Sequence, residues 1–255
     1  MMGGSIMHAK QIEVGKDRSM RKFARTALAV IFALAVSACA SLEQEPSGVA
    51  DSPDFKAMVS RNLGYIHYQK RQFQQAVDEY SKAIGFEPGH AKTYFNRGTA
   101  YVKLKQYDNA IADFGKAIEL DPGHAEAYNN RGIAYRNKSD FEHAIADYNR
   151  AIELRQEYPN AYFNLGNAYR KKGDVAKAID SYKSAIRIKP DFAQAHGLLG
   201  VMHAINRDYP KALESLDRAL KLDPNLTFAQ IVRKRLIRTL GQEARFGPMH
   251  LPSRV

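Results

Sequence analysis

Tryptophan is absent from this 255-residue chain, and cysteine occurs once, at Cys39. A lone cysteine excludes any internal disulfide. The apolar run from Ala27 to Val36 is ten residues long, well short of the ~20 that a membrane-crossing helix needs. No phosphate loop, nucleophile motif or pair of carboxylates stands outside the pattern described below. The chain is therefore read as non-enzymatic, with no cofactor and no metal. Acidic residues are outnumbered, 27 against 38 Lys and Arg, for a net charge of +11. Without residues 1–38 the balance falls to +7, a moderate excess compatible with nucleic acid, anionic lipid or an acidic partner. Arg21, Lys22 and Arg25 ahead of the apolar run give the layout of an export signal, which argues against nucleic acid.

What the chain has in abundance is period. Gly64, Gly98, Gly132, Gly166 and Gly200 stand 34 residues apart. His67, Tyr101, Tyr135, Tyr169 and His203 follow them by three residues, and Ala76, Ala110, Ala144, Ala178 and Ala212 by twelve. Ala83, Ala117, Ala151, Ala185 and Ala219 complete the set. A fixed period of 34 with this content marks a helix–turn–helix array. Each unit is expected to be two antiparallel helices, A and B. The small residues let the pair approach closely, and Tyr80, Phe114, Tyr148, Tyr182 and Leu216 fill the remaining space. A glycine inside a helix costs about 1 kcal/mol against alanine, so five in register point to close packing. One hairpin cannot bury its apolar faces alone, and stacked neighbours make a continuous core.

The second repeat reads AKTYFNRGTAYVKLKQYDNAIADFGKAIELDPGH. It resembles the tetratricopeptide repeat, departing only at Arg97, where leucine is usual. The resemblance covers residues 57–226 as five repeats and implies an all-α, right-handed solenoid. Tyrosine replaces the family's tryptophan in the middle repeats. The closing proline is present as Pro88, Pro122, Pro190 and Pro224, but Gln156 stands there in the third repeat, with Pro159 three residues later. A slightly different junction is expected between repeats three and four. Residues 227–240 have the helical spacing of a capping helix, with Gly241 as its stop and 241–255 as a disordered tail.

Arg21, Lys22 and Arg25 precede the apolar run, and Val36-Ser37-Ala38-Cys39 follows it. This is the layout of a signal peptide, and the last four residues resemble the bacterial lipoprotein box. The resemblance implies acylation of Cys39, anchoring to the envelope membrane and, from Ala40, a lean toward the outer membrane facing the periplasm. The other reading is a small residue in an ordinary signal peptide. Such a peptide begins naturally at Met20, which leaves residues 1–19 without a role in it. Residues 39–56, with Pro46, Gly48 and Pro53, read as a flexible tether.

In the tetratricopeptide family the A helices line a concave groove, and the resemblance places particular residues in it. Asn62, Asn96, Asn130 and Asn164 recur in register as a ladder, with Leu198 at the fifth place. An amide both donates and accepts, so it can hold an extended peptide by its backbone; alternatively these amides tie the repeats together. Arg61, Lys92, Lys103, Arg136, Arg170 and Lys171 are the basic groove residues against one acid, Glu126, and Phe95 and Phe163 add aromatic faces. That balance favours an acidic peptide or a C-terminal carboxylate. The fifth repeat's groove is apolar. The expected function is a scaffold or adaptor binding an envelope protein, whether a protease, a cell-wall hydrolase or a pilus or secretion component. The alternative is a cytosolic co-chaperone-like regulator, should residues 20–39 escape processing. His67 and His203 are expected in the core, His90 and His124 in a repeated turn. Asp113, Asp147 and Asp180 read as a solvent face on helix B.

Overall fold

The computed structural model describes residues 51–246. Cys39, the signal-peptide segment and residues 247–255 of the expected tail lie outside the described residues. Eleven helices, and no strand, are found among the described residues. They pair as α1 (Pro53–Gln69) with α2 (Phe73–Phe86), α3 (Ala91–Lys103) with α4 (Tyr107–Leu120), and α5 (Ala125–Asn137) with α6 (Phe141–Leu154). Then come α7 (Pro159–Lys172) with α8 (Val175–Ile188), α9 (Ala193–Ile205) with α10 (Tyr209–Leu222), and the unpaired α11 (Thr227–Phe246).

Close approach within each pair rests on the periodic glycines. A Cβ on Gly132 would stand 2.8 Å from the Tyr148 ring, and one on Gly166 2.7 Å from Tyr182. The periodic alanines of the B helices are fully enclosed. Neighbouring A helices touch one another at α1/α3, α3/α5, α5/α7 and α9/α11, and no pair of neighbouring B helices makes a comparable contact. The stack therefore curves with the A helices inside.

Every A-to-B turn is built the same way. The residue two before helix B has positive φ: Arg71 at 62°, Lys105 at 61°, Ser139 at 65°, Gly173 at 83° and Arg207 at 61°. The next backbone N–H donates to a carbonyl of the last helical turn, Gln72 to His67 and Asp140 to Tyr135 among them, at 2.9 and 3.0 Å. This is the Schellman closure, which glycine serves best; only repeat four has one. Asp140, Asp174 and Asp208 then cap α6, α8 and α10 by accepting the amides of His143, Lys177 and Lys211.

Boundaries differ from the expectation at two points. Pro53–Lys56 belongs to α1, because Ser52 caps it and Pro53 occupies a first-turn position where a missing N–H is harmless, so the tether stops short of Ser52. Gly241 does not stop α11, which runs on to Phe246. The third junction differs slightly, as expected: residues 155–158 form a bend where the other junctions form a turn, yet α7 still starts 34 residues after α5, with Pro159 in its first turn.

Asp113 and Asp147 are not on a solvent face, and this corrects the reading of helix B. Each is 5% exposed. Arg97 donates through Nε and Nη2 to both oxygens of Asp113 at 2.7 Å, and Arg131 does the same to Asp147 at 2.8 Å. Burial pushes the Asp113 carboxyl above its ordinary value while Arg97 pulls it back, and the bonds to Asp113 strengthen Arg97's hold on its own proton. Arg97 also donates to Ser81 of the preceding repeat and lies near the rings of Tyr94 and Tyr101. The family departure at Arg97 is thus half of a buried ion pair. Asp180 is exposed, as expected.

Candidate peptide-binding groove

The groove residues fall into five groups. Arg61 is spent on Glu87 in the turn after α2, and Glu126 accepts from Arg155 after α6. Phe95 stacks on His124 at 4.7 Å, and Phe163 lies 4.8 Å from Phe192, so both aromatics wedge against the following turn. Each is only half-buried and keeps part of its surface open. Lys92 and Lys103 are exposed on α3 with no ion pair among the described residues.

The fourth group converges. Arg136, Arg170 and Lys171 line one cavity of about 410 Å³ together with Asn137, Ser139 and Asn167. Three cations and no acid face it. Arg170 Nε is buried without a hydrogen-bond partner, a donor left open where an acceptor would fit. The Tyr182 hydroxyl donates to Asn167 Oδ1 at 2.9 Å, which fixes that amide. Burial pushes the Tyr182 phenol up to about 12, so it stays a neutral donor.

The asparagine ladder is uneven. Asn62 is exposed, while Asn96, Asn130 and Asn164 are half-buried. Asn164 Nδ2 donates to Asn129 Oδ1 of the preceding repeat at 3.0 Å, and Asn129 Nδ2 donates to Asn130 Oδ1 at 3.1 Å. Arg136 Nη1 reaches Asn164 Oδ1 at 3.4 Å. Between repeats three and four the amides therefore bridge the helices beside the basic cavity. Asn129, which shares the groove register of Phe95 and Phe163, is the buried centre of this network.

At the far end of the groove, a second cavity of about 420 Å³ is lined by Val201, Ala204 and Ile205 of α9, Tyr209 of α10, and Ile231, Leu236 and others of α11. The expected apolar character of the fifth repeat is thus a real hollow. His203 is buried, whereas His67 is only half-buried and bonds Gln72 at 2.8 Å. His90 bonds Thr93 at 2.8 Å at the start of α3.

A curved stack of paired helices with an open inner face defines a protein-interaction scaffold. Tetratricopeptide-repeat family models match residues 62–90, 91–124, 114–146 and 163–226, and a further TPR-repeat model matches 134–173. Among solved structures, one of MamA is 30% identical over 64% of this chain and 95% of its own, with a TM-score of 0.61. Another MamA structure is 25% identical over 77% of this chain and 98% of its own, also at 0.61. YrrB, described as a TPR protein with an unusual peptide-binding site, shares the fold at 24% identity and a TM-score of 0.62, over 74% of this chain and 98% of its own. No curated protein matches the sequence. The chain belongs to the tetratricopeptide repeat family, whose members serve as protein-interaction modules and are in general not enzymes.

Proposed function

We propose that this protein is an adaptor of the bacterial cell envelope that holds an extended, acidic segment or C-terminus of a partner protein along its A helices. The observation that carries this reading is the cavity between α5 and α7. Arg136, Arg170 and Lys171 surround it with no acid among its lining residues, and Arg170 keeps an unused donor there. Guanidinium groups bind carboxylates through paired N–H donors, so this is where an acidic side chain or terminal carboxylate sits. Asn96 on α3 and Asn130 on α5 stand at the same groove register, able to take up peptide backbone. The envelope location rests on the lipoprotein-like residues Val36-Ser37-Ala38-Cys39. Candidate partners are envelope proteases, cell-wall hydrolases and pilus or secretion components.

Two experiments test this. Photo-crosslinking from Asn130 in the native envelope should capture a partner, and Arg136→Ala/Arg170→Ala should lose it. Capture of the same protein by both forms would contradict the groove. Labelled palmitate should appear on the wild type and vanish in Cys39→Ala; absence of label from both would remove the anchor and favour the cytosolic regulator.

A further inference from the structure

The repeats are their own control, and one junction breaks their pattern. On the side of α9 away from the groove, a cavity of about 480 Å³ lies between α8 and α10. Lys183 and Arg187 of α8 and Lys211 and Arg218 of α10 line it, against one carboxylate, Glu214. With His203 and His196 neutral, the lining charge is +3. Lys211 is engaged with Asp208; Lys183, Arg187 and Arg218 have no ion pair among the described residues. The matching residues one repeat earlier are Asn149, Glu153, Lys177, Asp180 and Ser184, which sum to −1. There Glu153 bonds Arg150 and Lys177 bonds Asp174.

The floor differs as well. Repeats two to four carry tyrosine pairs at these places, Tyr94 and Tyr101, Tyr128 and Tyr135, Tyr162 and Tyr169, and repeat one has Ser60 and His67. Here His196 and His203 stand in those places. His203 is 6% exposed, and its Nδ1 is buried with no hydrogen-bond partner. Arg97 and Arg131 stand at this register in repeats two and three, each bonded to an aspartate; here Leu199 and Ser215 replace the pair and leave the cavity open. A cavity with excess cations, a buried open imidazole nitrogen and a hydroxyl is built for a compact, multiply charged oxyanion.

We propose that the α8–α9–α10 cavity is a phosphate-class anion site, distinct from the peptide groove and independent of it. A phosphate monoester carries about −1.5 to −2 at pH 7, which suits the +3 lining, and the guanidiniums of Arg187 and Arg218 offer paired donors to its oxygens. The anion comes either from a soluble phosphorylated compound or from a membrane lipid headgroup. Burial holds the His203 pKa below its ordinary value; Lys183 and Lys211 push the same way, and Asp208 and Glu214 oppose them. A bound dianion favours the imidazolium, so binding draws a proton onto His203.

The test uses the full chain in two arms. One is calorimetric titration with inorganic pyrophosphate; the other is flotation with phosphatidylcholine vesicles with and without phosphatidylglycerol. Arg187→Gln/Arg218→Gln is the variant. Lys82→Gln/Lys116→Gln removes the same charge from cations already bonded to Glu79 and Glu119 and is the control. The site predicts at least about tenfold weaker binding in the variant, with the control unchanged. Loss in the pyrophosphate arm assigns a soluble ligand, and loss of the phosphatidylglycerol-dependent flotation assigns a headgroup. Variant and control behaving alike, or a wild type that binds neither probe, would overturn the site. Sulfate keeps its charge between about pH 6 and 8, so its affinity should rise as pH falls through that range and flatten in His203→Gln. A flat wild-type profile would remove His203 from the site.

Discussion

Repeats two and three are stitched by buried Arg–Asp pairs, whereas repeats four and five carry Leu165 with Ser181 and Leu199 with Ser215 at the same places. The backbone does not register the exchange. B-helix bounds, turns and glycine contacts keep the 34-residue step through all five repeats. The lesson is that the stacking surface is set by the small residues, and that the slot beside them accepts either chemistry if both members change together. The first repeat shows what happens with no preceding repeat among the described residues. Val59, Leu63 and Ile66 of α1 are 36%, 40% and 44% exposed, while their counterparts Ala161, Leu165 and Ala168 of α7 are 0%, 6% and 0%.

The largest effect expected from this comparison is the breaking of one pair. Asp147→Ala leaves Arg131 half-buried without its partner and should destabilise by about 3 kcal/mol in urea unfolding. Importing the repeat-four solution whole, as Arg131→Leu/Asp147→Ser, should return stability to within about 1 kcal/mol of wild type. If the double variant were as unstable as the single, the two chemistries would not be interchangeable. On the apolar side, Leu199→Ala should cost about 2–3 kcal/mol, and Leu63→Ala in α1 less than about 1. Equal losses would mean that something covers the α1 face.

Turn substitutions should act alike in both halves, since the turns are alike. Ser139→Gly relieves a left-handed residue and should stabilise by about 1 kcal/mol, whereas Gly173→Ala should lose a similar amount. The smallest effect concerns acid. Hydrogen bonds from the Lys177 backbone and from the Lys211 side chain hold the Asp174 and Asp208 carboxyls below their ordinary value. Their contribution is complete above the unfolded carboxyl pKa and is lost as pH falls through the lower folded one. Asp174→Asn/Asp208→Asn keeps the caps and should flatten the acid limb of Tm against pH. An unchanged limb would show that these carboxylates play no part in it.

The fold was legible because packing imposes its small residues at a fixed step, and Gly64 to Gly200 display that step directly. The Arg–Asp pairs left a trace too: arginine replaces leucine at residues 97 and 131 only in the repeats where Asp113 and Asp147 stand sixteen residues later. Asp180 stands one residue short of that place, which the buried Ser181 occupies sixteen residues after Leu165, and so stays outside. The groove was legible in part. Arg136, Arg170 and Lys171 share a cavity, but Arg61 is neutralised by Glu87, which reaches it from a turn 26 residues away. Such pairings depend on side-chain reach across a junction and leave no periodic mark. The left-handed turn residues were hidden for another reason: Arg71, Lys105, Ser139 and Arg207 have nothing in common with Gly173 but position.

The central claim is that the cavity between α5 and α7 seats the partner's carboxylates. Its most direct test is the affinity of the full chain for one extended Asp- and Glu-containing peptide, measured by fluorescence anisotropy in wild type and in Arg136→Ala/Arg170→Ala. The groove predicts binding by the wild type, at least about tenfold weaker binding by the variant, and a weaker wild-type complex as salt is raised. Equal affinities in the two proteins would contradict it.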